Sequence, residues 1–272
     1  MRLIQFIDEN NQTYAGKELT GDRIERLSRN EWGMPCEPTG EIIDVEAGQR
    51  VQPVHPRDVF CIGMNYRSHV EEMGGTVPER PVVFMKPTSS VIGPGVPVRI
   101  PKCEHGGPET DQEAELAVVI GKPAKDVSVG NALDYVLGYT CANDVSARWW
   151  QKDGGGGQFT RGKGFDTFCP LGPVLVTQGD GEDEISDPQN LRITGSLGGE
   201  VLQDTNTGDM IFSVAELIAF LSQDTTLMPG AVILTGTPPG VGWAREPKKL
   251  MRSGMVSKIE IERVGVLENP VL

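Results

Sequence analysis

From Val59 onward, short apolar runs broken by glycine and proline dominate the chain and restrict it to a strand-rich fold. The runs are VFCIGMNY, PVVFMKP, ELAVVIG, YVLGYTCAND, PVLVT, LRITGSLGG, AVILTGTPPG and VSKIEIERVGVLEN. Runs of this length bounded by turn formers read as strands. Helical patterns are few. The clearest is SVAELIAFLSQ, where Val214, Leu217, Ile218 and Leu221 recur at helical spacing and Ser213 with Glu216 forms a capping box. Many strands, few helices and no regular βαβ alternation predict an α+β fold built on a large mixed sheet, not a doubly wound one. Residues 1 to about 55 start with the strand-like MRLIQFID and end in VQPVHPRD. They are expected to form a small N-terminal domain or appendage ahead of a main domain over 56–272.

The strand-like segment DQEAELAVVIG carries Glu113 and Glu115 with one residue between them. On a strand, Glu113, Glu115, Ala117 and Val119 share one face, and Ala114, Leu116, Val118 and Ile120 share the other. Two carboxylates on a half-buried face repel each other and lose hydration, so they call for a cation or a proton between them. A third carboxylate, Asp144, lies in YVLGYTCANDVSARWWQ, where a strand is predicted to about Ala142 and a helix to follow with Asn143 or Asp144 at its N-cap. On that helix Asp144, Arg148 and Gln151 would share a face. A capping Asp with an Arg ion pair accounts for this segment taken alone. Taken with Glu113 and Glu115, it points to a hard-oxygen site suited to Mg²⁺ or Mn²⁺, with Arg148 and Gln151 beside a chelated carboxylate.

The counts exclude several other classes. Five scattered cysteines (Cys36, Cys61, Cys103, Cys141, Cys169) without a CxxC pair argue against zinc ribbons and favour a reducing compartment. Only three histidines occur, His55, His69 and His105, so any metal must be held largely by oxygen. A formal charge of -13 argues against nucleic acid or an anionic membrane as partner. No run of about 18 apolar residues is present and MRLIQFIDENN is too polar for a signal peptide, so a cytoplasmic location is expected.

GMNYRSHVEEMGG supplies a candidate acid/base. Ser68 and Glu71 have capping-box spacing, which places His69 and Glu72 three apart on a short helix ended by Gly74 and Gly75. A carboxylate beside imidazole holds its orientation and favours its protonated form, although a lone His on such a helix also reads as a surface residue. Further on, DGGGGQFTRGKGFDTFCP contains Gly154 to Gly157 and Lys163. GQFTRGKG fits the Walker A pattern only superficially, because Gly164 stands where Ser or Thr should hold Mg²⁺. The segment reads instead as a flexible loop that delivers Lys163 to an anion, or as a solvated loop. In LTGTPPGVG a turn follows a strand, and its backbone N–H groups with the Thr237 hydroxyl could bind an oxyanion, or the segment is simply a turn.

Taken in order, GMNYRSHVEEMG, DQEAELAVVIG, ANDVSARWWQ, RGKGFDTFCPLGP and LTGTPPGVG resemble the fumarylacetoacetate hydrolase superfamily over about residues 57 to 270. The resemblance implies a mixed β-sandwich roll, usually a homodimer, with one Mg²⁺ or Mn²⁺ per site. It also implies metal ligands at Glu113, Glu115 and Asp144, a catalytic pair at His69 and Glu72, an active-site lysine at Lys163, and substrate contacts at Arg148, Gln151 and Thr237. The implied partner is a small 2-oxo acid. Hydrolysis of an acylpyruvate is the leading expectation, since His69 with Glu72 can activate water. Oxaloacetate decarboxylation or tautomerisation, and hydration or isomerisation of a 2-oxo-dienoate, draw on the same enolate chemistry, and a non-catalytic binding relative is a further alternative. Glu113→Ala is expected to remove metal binding and activity with the fold intact.

Overall fold

The computed structural model describes residues 1–19, 22–28, 37–46, 49–103, 109–152, 154 and 156–272. Cys36, His105 and Gly155 lie outside the described residues. The N-terminal strands are β1 (Arg2–Ile7), β2 (Thr13–Glu18), β3 (Arg23–Leu27), β4 (Pro38–Asp44) and β5 (Arg50–Val51). Then come β6 (Val59–Gly63), α1 (Arg67–Glu72), β7 (Val82–Lys86), β8 (Val91–Ile92), β9 (Thr110–Asp111), β10 (Ala114–Ile120), β11 (Val136–Asn143) and β12 (Ser146–Ala147). The chain continues through α2 (Arg148–Lys152), α3 (Phe159–Lys163), β13 (Cys169–Thr177), β14 (Arg192–Leu197) and β15 (Glu200–Asn206). It closes with α4 (Val214–Leu221), β16 (Val232–Leu234), β17 (Val256–Ile261) and β18 (Gly265–Pro270).

One large mixed sheet runs β4-β3-β2-β1-β13-β11-β10-β16-β6-β7, with β16 and β6 parallel and the other neighbours antiparallel. A second, antiparallel sheet runs β15-β14-β17-β18. The predicted α+β class with few helices is therefore correct. α4 forms as read, with both halves of the Ser213–Glu216 capping box present.

β10 lies at the centre of the large sheet, and its alternation divides two cores. Ala114, Leu116, Val118 and Ile120 pack with Ile193 and Ile259 of the second sheet and with Leu217 and Leu221 of α4. Ala117 and Val119 face the other way and pack with Leu3, Val59, Leu171 and Leu234 from the curled remainder of the large sheet. The segment reads as a buried strand with its carboxylates on a half-buried face, and every residue of β10 is buried. Covering both faces raises the cost of a carboxylate there, because neither side offers water. Hydrogen bonding continues from β1 to β13 (Leu3 opposite Leu175), so the sheet runs across the boundary drawn near residue 55.

Two local expectations fail for tertiary reasons. Ser68 does not cap α1. Its backbone N–H and hydroxyl both bind Asp209, which is 141 residues away, and Tyr66 occupies the N-cap without a side-chain hydrogen bond. The helix after β11 starts at Arg148, not at Asp144, because Ser146 and Ala147 first pair with β9.

Candidate active site and metal centre

The ends of β10 and β11 bring the acidic groups together. Ala114 pairs with Asn143, which sets Glu113 beside Asp144, and Asp144 N donates to Glu113 O at 2.9 Å. Ligand oxygens of Glu113, Glu115 and Asp144 all lie within 4.8 Å of one another, and all three residues are buried. Asp144 comes to this point from the strand end, so the shared helix face with Arg148 and Gln151 is not what unites them.

Cations from three other elements surround the carboxylates. Lys163, at the end of α3, places Nζ 2.7 Å from Glu113 Oε2, 2.6 Å from Asp144 Oδ2 and 2.7 Å from Ser146 Oγ. It was expected on a flexible loop, but it is a fully buried helical residue. Arg148 donates from Nη1 to Glu113 Oε1 (2.5 Å) and Gln151 Oε1 (2.9 Å), and from Nη2 to Asp111 Oδ2 (2.7 Å). Lys86, on β7, donates to the carbonyls of Val145, Lys163 and Phe168 and lies 2.7 Å from Asp144 Oδ1. Its three protons are all used on those carbonyls. Asp144 Oδ1 therefore sits beside a positive charge yet receives no hydrogen bond.

These neighbours set the ionisation. Burial alone would raise the carboxyl of Glu113, but the charges of Lys163 and Arg148 outweigh it and hold the group well below the usual carboxylate range. Glu115 goes the other way: burial first, then the charges of Asp144 and Glu113, push it well above its ordinary value. Burial would lower the Lys163 ammonium, and Asp144 and Glu113 reverse that to a raised value. A donor set of hard oxygens, a buried carboxylate oxygen without a donor, and a carboxyl whose ionisation its burial and its neighbours oppose together fit a divalent cation.

In the turn after β16, read from the sequence as an oxyanion site or simply a turn, four backbone N–H groups are engaged within the chain. It holds the chain's own carboxylates. Gly236 N donates to Glu115 Oε2 (2.7 Å), Gly240 N to both oxygens of Glu72 (2.9 and 3.0 Å), and Gly242 N and Trp243 N to Asp111 (3.0 and 2.9 Å). The Thr237 hydroxyl donates to Ala114 O (3.0 Å) and accepts from Gln203 Nε2 (2.8 Å). One short segment thus aligns Glu115, Glu72 and Asp111. Gly240 has φ +99, and a Cβ there would lie 2.0 Å from Leu202 O. Gly240→Ala is expected to cost about 2–4 kcal/mol through the left-handed backbone and the clash, measured as a lower urea midpoint.

His69 is 9% exposed and therefore not a surface residue. Its Nδ1 lies 3.2 Å from Glu72 Oε2. Glu72 accepts from Gly240 N on both oxygens, so the imidazole Nδ1–H is assigned as the donor to it. That leaves Nε2 as the ring atom available to a ligand. His69, Glu113, Asp144, Arg148, Gln151 and Lys163 all line one cleft of about 160 Å³ that opens to solvent. Thr237 also lines it. All the residues singled out in the sequence thus meet at one place, with Glu115 and Glu72 bound to the turn behind the cleft wall. Asp111, Lys86 and Gln203 were missed. Asp111 stands two residues before Glu113 in the same segment and could have been noticed there. Lys86 and Gln203 carry no local signal.

Comparison with known proteins bears on what such a site does. The chain is 49% identical over 218 residues to the oxaloacetate tautomerase fahd2, mitochondrial, of Xenopus laevis, a match covering 80% of the chain and 66% of that protein. The chain thus spans just under two thirds of that relative's length. Two solved structures share its fold over 100% of the chain. One is the 5-carboxymethyl-2-hydroxymuconate delta-isomerase from Mycobacterium smegmatis (TM-score 0.83, 35% identity, 99% of that chain covered). The other is the 2-hydroxyhepta-2,4-diene-1,7-dioate isomerase from Mycobacterium marinum (TM-score 0.82, 35% identity, 98% of that chain covered). Residues 58–272 match the family described as fumarylacetoacetate (FAA) hydrolase C-terminal, and with these relatives the chain belongs to the fumarylacetoacetate hydrolase family.

Proposed function

We propose that the protein is a metal-dependent enzyme that moves a proton within a 2-oxo dicarboxylic acid, interconverting enol and keto forms of an oxaloacetate-type substrate. This revises the expectation of acylpyruvate hydrolysis: the relatives' names speak for tautomerisation and isomerisation, which were the alternative. The observation that carries the reading is His69, 3.2 Å from Glu72 and lining the same cleft as Glu113, Asp144 and Lys163. Hydrolysis needs a placed water as well as a base. Tautomerisation needs only a group that takes the proton from carbon and passes it to the 2-oxygen.

His69 Nε2 would remove a proton from C3 of the bound 2-oxo acid, and the electron pair of that C–H bond would move toward the 2-oxygen. Glu72 stabilises the imidazolium that results and keeps the ring in register. Arg148 and Gln151 would bind the 1-carboxylate. The Lys163 ammonium faces the charge that develops on oxygen. The proton held on His69 then passes to that oxygen to give the enol, and the reverse sequence gives the ketone. Glu113, Glu115 and Asp144 would hold Mg²⁺ or Mn²⁺, which when bound supplies Lewis-acid stabilisation of the same negative charge. A homodimer, a small-molecule partner and a cytoplasmic site of action complete the proposal. No helix among the described residues is long and apolar enough to cross a membrane, and the frog relative is named as mitochondrial.

The decisive assay follows the enol absorbance of freshly dissolved oxaloacetic acid with Mg²⁺, alongside pyruvate release from oxaloacetate and cleavage of acetylpyruvate. Enol decay well above the buffer rate is the expected result. Faster acetylpyruvate cleavage than enol decay would return the reading to hydrolysis.

Metal binding has a pH signature. The folded-state value of Glu115 is raised above its ordinary 4.5, so in metal-free protein this group removes stability as pH rises from the unfolded toward the folded value. A cation replaces that proton. The Mg²⁺-induced rise in Tm is therefore expected to grow as pH rises above the ordinary 4.5 toward the raised folded value, and to become small and flat in Glu115→Gln. Differential scanning fluorimetry checks both variants.

A further inference from the structure

α1 carries both His69 and Glu72, yet little within it explains why it is helical. It has six residues, and a helix shorter than about 12 residues is marginal by itself in water. Its N-cap, Tyr66, makes no side-chain capping bond, and its first turn holds no acidic residue. The cap comes instead from across the fold. Asp209 Oδ2 accepts from Ser68 N (3.1 Å) and from the Ser68 hydroxyl. Ser68 is the second helical residue, and its N–H is one that an N-cap side chain ordinarily satisfies. The Asp209 carboxylate also sets negative charge against the positive end of the helix. At the other end Glu72 is held by Gly240 N, so distant segments fix the helix at both ends.

Asp209 stands on a firm base. It ends a 3-10 turn, Thr207–Asp209, that directly follows β15 of the second sheet. Asn206 Oδ1 accepts from Gly208 N (2.8 Å). Buried Thr207 donates from N to Leu191 O and accepts from Leu191 N on Oγ1, both at 2.9 Å. Just beyond, Ile211 N donates to Asn65 O (2.7 Å), and the fully buried Asn65 side chain binds Phe212 N, Phe212 O and Thr235 O. The geometry points to Asp209 as a positioning residue, a cap supplied in trans that sets α1 and with it the reach of His69 Nε2. Asp209 does not line the cleft and acts on the chemistry only through Ser68 and the helix. Both bonds from Ser68 end on one carboxylate oxygen, so an amide oxygen can replace it and a methyl group cannot. The inference rests on the proposed reading only for the role of His69 in proton transfer.

The test compares Asp209→Ala, Asp209→Asn and Asp204→Ala in the full chain with Mg²⁺. Asp204 lies on β15 and pairs with exposed Arg192, so it controls for the loss of one acid. Amide hydrogen exchange over 67–72 reads the helix, exchange over β10 reads the fold, kcat and KM for enol decay read His69, and a Mg²⁺ titration reads the acidic triad. In Asp209→Ala, exchange over 67–72 is expected to quicken about fivefold, the loss of one N-cap. A shift of about 1 Å at a reacting group costs up to about 10²-fold, so kcat should fall about tenfold or more. KM, Mg²⁺ affinity and exchange over β10 should stay as they are. Asp209→Asn should bring exchange and kcat back to within about threefold, since Asn and Asp cap alike, and Asp204→Ala should match the unmodified protein. Unchanged exchange over 67–72 in Asp209→Ala, or kcat unchanged despite faster exchange, overturns the inference. So does an Asp209→Asn variant as impaired as Asp209→Ala, or a loss of Mg²⁺ affinity alongside kcat. If the unmodified protein shows no enol turnover, the proposed reaction falls, while the exchange comparison still decides whether Asp209 holds the helix.

Discussion

Glu113→Ala is expected to abolish Mg²⁺ binding and to lower kcat/KM for the enol by about 10³-fold or more. Metal stabilisation of an oxygen anion contributes several kcal/mol, and about 1.4 kcal/mol corresponds to a factor of ten in rate. The sequence suggested that the fold would survive this change untouched, and the structure alters that expectation. Glu113 receives hydrogen bonds from both Arg148 and Lys163, and each of those cations is buried. Removing one member of a buried ion cluster leaves charge without compensation, which costs about 3–5 kcal/mol. The variant should therefore show a lowered urea midpoint as well as lost metal affinity. Glu115→Gln separates the two effects, because the hydrogen bond to Glu115 comes from the Gly236 backbone, not from a cation. Full activity after exhaustive chelation, or unchanged Mg²⁺ affinity in either variant, would end the metal assignment.

His69→Ala is the second large effect, with an opposite profile. A positioned acid or base contributes about 10²–10⁴-fold, so kcat for enol–keto interconversion should fall within that range. Metal affinity should be unchanged, because none of the metal candidates hydrogen-bonds to His69. Stability should change little, since His69 lies on the six-residue helix α1 and its side-chain partner is Glu72, which keeps its two contacts from Gly240 N. Stopped-flow enol decay together with a Mg²⁺ titration distinguishes this outcome from that of Glu113→Ala. A rate within twofold of the unmodified protein would remove His69 from the chemistry.

The two predictions rely on different parts of the molecule, and those parts differ in how far they can be read from the chain. The Glu113–Glu115 pair is visible because strand periodicity places i and i+2 on one face, and two charges there demand a counterion. The alternation of β10 and the capping box of α4 are likewise local, and both form as expected. The cap assigned to Ser68 and the helix start assigned to Asp144 are local readings too, and both fail. In each case a distant segment outbids the neighbour: Asp209 takes Ser68, and β9 takes Ser146 and Ala147. Local hydrogen bonds of this kind contribute only about 1 kcal/mol, so a tertiary partner can displace them.

Read alone, the order of residues determined the strand-rich class, the acidic pair with its third carboxylate, and the histidine beside a glutamate. Each is encoded within a few positions, by side-chain periodicity or by chemistry at close spacing. Which cations neutralise those acids, which carboxyl is pushed up and which is held down, and how one glycine turn aligns Glu115, Glu72 and Asp111 were decided only by tertiary structure. The reason is physical. Charge balance in a water-poor interior depends on distances between elements far apart in the chain, and sheet register sets those distances.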